Sequence, residues 1–257
     1  MNRFRLFAVL FLIIFMSSCS GQNQEYNYNN VTSEQGIGEL KELLSNADVP
    51  AEDIDNIIYF IAIYSKGDYA INHLRGDWAK ATITKDIYNY TTAIDLFTNN
   101  EFEDLNCRRA ALIIFNSFIT TTTTLIETEN IKEEYQFYGG YKYESEYLKY
   151  AALFASFPLD ESVTDSVKNN WRSKDVVFTG DKIQLVSLWG KTKTEIENIH
   201  CGILINNDEN IYFFEKTDPI LPYQLSIFQS TDDLKKYLLS RTNEFNDMTV
   251  FVDNEAL

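Results

Sequence analysis

Cys107 stands where the chain enters a helix, which is a position that activates a thiol. The polar residues Glu103, Asp104 and Asn106 precede it, and an apolar segment begins at Ala110. Asn106 is a good N-cap residue, so we expect Cys107 in the first helical turn. The unpaired N–H groups and the positive end of a helix stabilise a thiolate and lower the pKa of the thiol. Cys107 is therefore a candidate nucleophile, and the alternative is a small residue packed at a helix start.

A general base for this thiol would come from one of the chain's two histidines, His73 and His200. His200 begins a short apolar segment, 200–205, that is typical of a strand. Turn residues follow at 206–209, and the next apolar segment ends at Glu215, so the pattern predicts an antiparallel hairpin. Because side chains alternate along a strand, Glu215 can lie beside His200 if the register allows. His73 lies in a polar stretch without a partner and is interpreted as structural or surface.

The segment His200-Cys201-Gly202-Ile203-Leu204-Ile205 resembles the histidine strand of NlpC-type cell-wall peptidases and related amidases. In those papain-like enzymes a strand histidine is the base for a cysteine at the N-terminus of an earlier helix, and a polar residue on the returning strand orients the histidine. The resemblance implies a cysteine peptidase or amidase with Cys107 as nucleophile, His200 as base and Glu215 as orienting acid. It also implies a peptide or cell-wall substrate, and the Cys107 backbone N–H would help to bind the oxyanion.

A second resemblance covers nearly the whole chain that follows the N-terminal segment. It rests on Asn106-Cys107-Arg108, Trp171-Arg172, His200-x-Gly202-Ile203-Leu204, Phe214-Glu215-Lys216, Pro222-Tyr223-Gln224 and Phe251-Val252-Asp253-Asn254. These strings resemble a family of bacterial lipoproteins that is known as a domain of unknown function. The resemblance implies that Cys107, His200 and Glu215 belong to one motif set, and it carries no activity with it. A non-catalytic envelope lipoprotein with a binding or structural role is therefore the alternative function.

The neighbours of the candidate residues have simpler interpretations. Cys201 alternates to the face opposite His200 and is interpreted as a core residue. An exported protein could instead join Cys107 and Cys201 in a disulfide, which would exclude a nucleophilic Cys107. Lys216 points away from Glu215 by alternation and is expected to face solvent or form an ion pair. The sequence has no CxxC pair, histidine cluster or HExxH motif, so we expect neither a metal nor another cofactor.

The first 19 residues have the pattern of a bacterial lipoprotein signal. Arg3 and Arg5 give a positive start, and the apolar run 6–16 has eleven residues. That length suits the ~7–15-residue apolar region of an export signal and is short of the ~20 that a membrane span needs. Ser17-Ser18-Cys19 resembles a lipobox, so we predict export, cleavage after residue 18 and a membrane anchor through a lipid on Cys19. The alternatives are an ordinary secretory signal with an incidental cysteine and a short N-terminal anchor.

The net negative charge of the chain argues against two classes of binding partner. The formal net charge is −16, and loss of Arg3 and Arg5 with the signal would make it −18. A nucleic-acid-binding protein needs clustered Lys and Arg residues, so no nucleic-acid partner is expected. An anionic lipid surface would also repel this chain, and membrane attachment would therefore depend on the covalent lipid.

The periodicity of apolar residues predicts an α+β fold. Residues 1–18 are the signal, 19–33 are expected to form a flexible tether, and 34–257 are expected to form a single domain. Helical spacing marks 33–45, a segment from residue 50, 85–97, 106–119, 143–154 and 231–239. Strand-like segments occupy 175–178, 182–189, 200–205, 210–215 and 248–252. We therefore expect N-terminal helices followed by a C-terminal antiparallel sheet, as in a papain-like, NlpC-like domain.

Overall fold

The computed structural model describes residues 24–66, 76–84, 87–88, 104–123, 129–137, 144–159, 162–207, 210–242, 244–245 and 247–257. The predicted signal, Cys19 and His73 lie outside the described residues, as does most of the helix predicted over 85–97.

Eleven strands and seven α-helices make up the described part of the chain. The strands are β1 (Glu25–Asn29), β2 (Ala79–Thr82), β3 (Ile119–Thr120), β4 (Phe157–Pro158), β5 (Val177–Phe178), β6 (Ile183–Lys191), β7 (Glu195–Asn207), β8 (Asn210–Lys216), β9 (Tyr223–Phe228), β10 (Met248–Val252) and β11 (Glu255–Ala256). The helices are α1 (Glu34–Asn46), α2 (Ala51–Lys66), α3 (Cys107–Phe115), α4 (Glu129–Phe137), α5 (Glu144–Phe154), α6 (Val163–Ser173) and α7 (Thr231–Leu239).

A large antiparallel sheet organises the protein. Its strands follow the order β11-β10-β6-β7-β8-β9-β1-β2, and β4 pairs with the start of β7. The mixed α/β class with a large antiparallel sheet is thus confirmed. The order of elements is less simple than helices followed by strands, because β1 precedes α1 and β2 follows α2.

A flexible tether was predicted over 19–33, and strand β1 corrects that prediction for the described residues 24–33. Residues 25–29 pair with both β2 and β9, and Tyr26 and Tyr28 are buried. The surrounding asparagines made the segment look aperiodic, although its two tyrosines alternate as one face of a strand does. Tyr26 stacks on Phe228 of the neighbouring strand β9 at a centroid distance of 5.1 Å, so β1 belongs to the folded domain.

Helices cover both faces of the sheet. On one face α1, α2, α3 and α5 pack on the alternate residues Leu185, Ile203, Ile205 and Phe214. On the other face α7 packs on the intervening residues of the same strands, among them Val186, Leu188, Leu204 and Phe213. The central strands are therefore buried on both sides, which explains why they read as continuous apolar runs.

The long strand β7 changes partners along its outer edge. Its C-terminal half pairs with β8 from Ile203 to Asn207, and its first residues, Glu195 and Ile196, pair with β4. Between these two pairings, residues 197–202 have no strand partner on that edge within the described chain. A register shift on the opposite edge, between β6 and β7, falls beside His200. Side chains from a helix can therefore approach β7 at this gap.

Gly202 lies in the gap, where the backbone allows no side chain. A Cβ atom there would lie 2.6 Å from the Phe213 ring and 2.6 Å from the Phe214 carbonyl oxygen. The Phe213 ring therefore occupies the space that any larger residue at position 202 would need.

We predict that Gly202→Ala lowers the free energy of unfolding by about 1–3 kcal/mol, because the added methyl overpacks a core with no room for it. Gly38→Ala is the matched control. Gly38 is exposed on α1, and a Cβ atom added there would have no neighbour within 4 Å, so the change should raise stability by up to about 1 kcal/mol. Urea unfolding of the two variants measures both effects, and equal midpoints would contradict the prediction.

Candidate functional site

Cys107 is the first residue of α3, as the capping pattern predicted. The Asn106 side chain accepts a hydrogen bond of 2.8 Å from the Arg109 N–H, and Asn106 has an extended backbone. Cys107 is partly exposed, whereas the rest of the helix after Arg108 is buried. The thiol thus stands at the positive end of a helix whose other residues are fixed in the core.

Side chains on both sides of Cys107 fix the start of this helix. The Asn106 amide donates to Glu134 on α4 at 2.7 Å and to the Tyr150 hydroxyl on α5 at 3.3 Å. Arg108 donates to Glu134 and also to the Asn198 carbonyl on β7, each at 2.5 Å. Arg108 therefore ties the cysteine helix to β7 two residues before His200.

His200 and Glu215 meet where β7 and β8 separate. Both side chains are buried, and the His200 Nε2 lies 2.5 Å from the Glu215 Oε2. Since Nε2 contacts Glu215, Nδ1 is the ring nitrogen left for a second partner. The structure thus brings the predicted acid to the predicted base.

The Glu215 carboxylate has three further partners that the sequence did not reveal. Arg241, just after α7, donates to Oε2 at 3.1 Å, and the Tyr237 hydroxyl donates to Oε1 at 2.5 Å. Gln224 on β9 donates to Oε1 at 3.4 Å. The only local signal was the four-residue spacing of Tyr237 and Arg241 at the end of a predicted helix, which places them on one face.

Two consecutive residues of β7, His200 and Cys201, act on the pKa of the Cys107 thiol through hydrogen bonding. Because consecutive side chains of a strand point to opposite faces, a group that reaches both must lie beside the strand edge. The unpaired stretch of β7 provides that edge. Cys107 and Cys201 are both free thiols, so the structure does not contain the disulfide that was the alternative. Cys201 is buried, as expected for a core residue, but its contact with Cys107 was not predicted.

The surroundings of Cys107 favour its thiolate. The hydrogen bond from Cys201 is the largest influence, and together with the hydrogen bond and charge of His200 and the charge of Arg108 it holds the pKa of Cys107 well below its usual range, despite burial. Burial first, and then the same contact, raise the pKa of Cys201 well above its usual range. Cys201 therefore keeps its proton and donates it in a hydrogen bond to the sulfur of Cys107.

His200 and Glu215 carry the complementary charges. Burial and Arg241 act to lower the pKa of His200, but the contacts with Cys107 and Glu215 outweigh them, and the net direction is upward. Burial acts to raise the pKa of Glu215, whereas Arg241 and His200 lower it below its ordinary value. The favoured state is thus a thiolate, an imidazolium and a carboxylate in sequence.

Lys216 forms a second buried ion pair on the opposite face of β8. Its ammonium contacts the Asp104 carboxylate, and both side chains are completely buried. The Tyr223 hydroxyl donates to Asp104 at 2.5 Å, and the ammonium lies 3.7 Å from the centroid of the Tyr64 ring. Burial lowers the pKa of Lys216 to about 8. Because Asp104 is three residues before Cys107, this pair fastens the loop that leads into the cysteine helix.

A cavity of about 270 Å³ opens beside Arg241 and Tyr237. It is also lined by Tyr26, Tyr88 and Asp218. Burial raises the pKa of the Asp218 carboxyl, and the charge of Cys107 acts in the same direction, against the Ile220 N–H and Arg241. The cavity wall is therefore within electrostatic reach of the thiol.

Some aromatic and polar side chains outside the site have purely structural surroundings. Trp171 and Trp189 are buried in one aromatic cluster, and Ser187 accepts a hydrogen bond from the Trp189 indole. Among the described residues, no group of three or more His, Cys, Asp or Glu side chains could hold a metal ion. Within the same residues, no helix combines the length and apolar character that a membrane crossing requires.

Comparison with known proteins gives one match. Residues 27–257 match the model of a family described as a domain of unknown function, DUF4300. Neither a curated protein nor a solved structure matches the chain.

We predict that iodoacetamide alkylates Cys107 rapidly and that the reaction persists in mild acid. Between about pH 8 and pH 6 an ordinary cysteine loses its thiolate roughly 75-fold. The lowered pKa of Cys107 should make this loss much smaller. His200→Ala removes a hydrogen bond and a positive charge, so the alkylation rate at the acidic end should fall at least several-fold.

The matched control is His73→Ala, which changes the chain's other histidine. Mass spectrometry of peptides assigns the label to Cys107 and separates it from the other two cysteines. Equal rates in the two histidine variants across the pH range would contradict the assignment of His200 as the partner of the thiol.

Proposed function

The chain belongs to the DUF4300 family, a domain of unknown function, and we propose that it is a cysteine hydrolase of the papain-like, NlpC-like type. The observation that carries the proposal is the His200–Glu215 pair, 2.5 Å apart, together with a thiol at the start of a helix whose pKa is lowered by His200 and Arg108. A nucleophile, a base and a residue that orients the base are the three parts that covalent acyl transfer needs.

In the proposed reaction Cys107, His200 and Glu215 each have a role in acylation and again in deacylation. The Cys107 thiolate attacks the carbonyl carbon of an amide, and the N–H groups at the start of α3 stabilise the oxyanion. The His200 imidazolium gives its proton to the leaving amine, which departs and leaves a thioester on Cys107. His200 then takes a proton from water as the water attacks the thioester. The carbon–sulfur bond breaks, the acid leaves, and the Cys107 thiolate and the His200 imidazolium are restored. Glu215 holds the ring in place and stabilises its charged form.

The arrangement of elements also supports a papain-like architecture. The cysteine begins a helix that packs against an antiparallel sheet, the histidine lies on a later strand, and the acid lies on the strand that returns beside it. Chain order and element type therefore agree with the NlpC-type resemblance of the 200–205 segment.

A peptide or a cell-wall amide is the substrate class that we propose. The cavity beside Arg241 contains polar and charged side chains, including Asp218, together with the rings of Tyr26 and Tyr88. Such a mixture suits an extended polar chain better than an apolar ligand. The exported, lipid-anchored state proposed from Cys19 would bring the site to substrates that lie close to a membrane surface.

We predict catalytic turnover of an activated acyl ester, p-nitrophenyl acetate, with release of more than one nitrophenol per chain. Cys107→Ala should abolish both the initial burst and the turnover. Glu215→Gln should lower turnover at least tenfold, because an unoriented histidine is a poor base. Glu195→Gln is the matched control, since Glu195 is an exposed carboxylate at the start of the histidine strand.

The outcomes of this assay separate the two functions. A single burst without turnover, at equal size in wild type and Glu215→Gln, would describe a reactive thiol in a protein that does not hydrolyse acyl groups. That result would favour the non-catalytic envelope lipoprotein.

We predict that Cys19 carries the lipid. In bacteria that are fed an alkyne-tagged fatty acid, the full chain should take up the tag and sediment with membranes. Cys19→Ala should lose the tag and the sedimentation, because a short apolar signal without a lipid gives no stable anchor. Cys107→Ala is the control and should keep both. A tag that survives Cys19→Ala would contradict the lipoprotein assignment.

A further inference from the structure

Cys107 and Cys201 form an asymmetric pair of thiols. Cys107 is partly exposed at the start of α3, whereas Cys201 is only 1% exposed in the core between helix and sheet. Cys107 packs against the same apolar cluster that contains Cys201, and the Arg108–Asn198 hydrogen bond holds the start of α3 against β7. The pKa of each thiol responds to the other. Cys107 is therefore the more accessible of the two thiols.

The pair does not follow from the requirements of acyl transfer. A hydrolase of the proposed type needs one thiol, one imidazole and one orienting group. A second thiol in contact with the first adds a risk, because two adjacent sulfurs can join. The next residues on the same face of β7, Ile203 and Ile205, contribute plain apolar side chains to the same cluster.

We propose that Cys107 and Cys201 form a site of reversible oxidative modification by peroxides, in which Cys201 is the resolving thiol. In the first step the Cys107 sulfur attacks hydrogen peroxide. A sulfur–oxygen bond forms, the oxygen–oxygen bond breaks, and hydroxide leaves and takes a proton to become water. Cys107 is then a sulfenic acid, oxidised by two electrons, and the peroxide is reduced.

In the second step the Cys201 sulfur attacks the Cys107 sulfur. A sulfur–sulfur bond of about 2.05 Å forms, the sulfur–oxygen bond breaks, and the hydroxyl leaves as water with the proton of Cys201. An external dithiol reverses the modification, because exchange returns both thiols and oxidises the dithiol to its own disulfide.

The disulfide would make the Cys107 sulfur unreactive as a nucleophile, and it would also protect that sulfur from further oxidation. A sulfenic acid without a resolving partner is oxidised further to sulfinic and sulfonic acids, which thiols do not reverse. The bond would also join the first residue of α3 to β7 at the gap in its pairing. The inference goes beyond hydrolysis, since it requires the reactive thiol of Cys107 and no substrate turnover.

The test treats the full chain with hydrogen peroxide and identifies the products by peptide mass spectrometry. In wild type we expect a peptide pair linked through Cys107 and Cys201, and complete recovery of iodoacetamide labelling at Cys107 after a dithiol is added. In Cys201→Ser we expect Cys107 to accumulate as sulfinic and sulfonic acids, with labelling recovered less than half as well as in wild type. Oxidation rates are compared with the alkylation rate of each variant, because the hydroxyl introduced by Cys201→Ser also alters the hydrogen bond to the Cys107 thiol.

Wild-type protein alone can overturn the inference, even if Cys201→Ser fails to fold. Peroxide-treated wild type that carries sulfinic acid on Cys107 and no Cys107–Cys201 linkage would exclude Cys201 as a resolving thiol. That outcome leaves hydrolysis intact if nitrophenyl ester turnover continues before oxidation. Conversely, a linked peptide in a protein without ester turnover would support the oxidative site and count against the hydrolase.

Discussion

Two buried charges of opposite sign, on consecutive residues of β8, hold the layers of this protein to its sheet. Glu215 points to the face covered by α7, and Lys216 points to the face covered by α1 to α3. Burying an unpaired charge in a protein interior costs several kcal/mol, so each charge requires partners that are themselves held in place. Glu215 obtains them from β7, β9 and the end of α7, and Lys216 obtains them from Asp104 and two aromatic rings. The partners that Glu215 and Lys216 require therefore hold together elements that are far apart in the chain.

The position of Cys107 follows from these constraints together with the gap in β7. The Asp104–Lys216 pair fastens the loop before α3, and Arg108 fastens its first turn to β7 at Asn198. The start of α3 is therefore held against the sheet at two points, one on β8 and one on β7. Because β8 leaves the edge of β7 before His200, the backbone of β7 is open at that place, and a thiol can contact both His200 and Cys201. Regular pairing along the whole strand would have closed this access.

The sequence predicted the parts of the site whose signals are local. An N-cap asparagine marked the start of α3, and the alternation along β7 and β8 indicated that Glu215 could lie beside His200. It did not indicate that Lys216 is fully buried, since a lone lysine on a strand gives no sign of its partner 112 residues away. Arg241 and Gln224 were missed for the same reason, because their role depends on long-range packing. Strand β1 was missed because its asparagines masked the tyrosine alternation.

The surroundings that lower the pKa of Cys107 would also make it sensitive to oxidation, since a thiolate reacts with peroxides and with carbonyl carbons alike. A helix N-terminus, an imidazolium and a hydrogen bond all stabilise the thiolate, so they favour both reactions together. In its reduced form Cys201 lowers the pKa of Cys107 by hydrogen bonding, so it also increases the sensitivity of Cys107 to peroxide. Its sulfur is also the atom best placed to intercept the sulfenic acid that follows. A serine hydroxyl could also donate a hydrogen bond to Cys107, although an altered one, but it could not form the bond to sulfur. A thiol at position 201 therefore couples activation to protection, which a hydroxyl in that place would not.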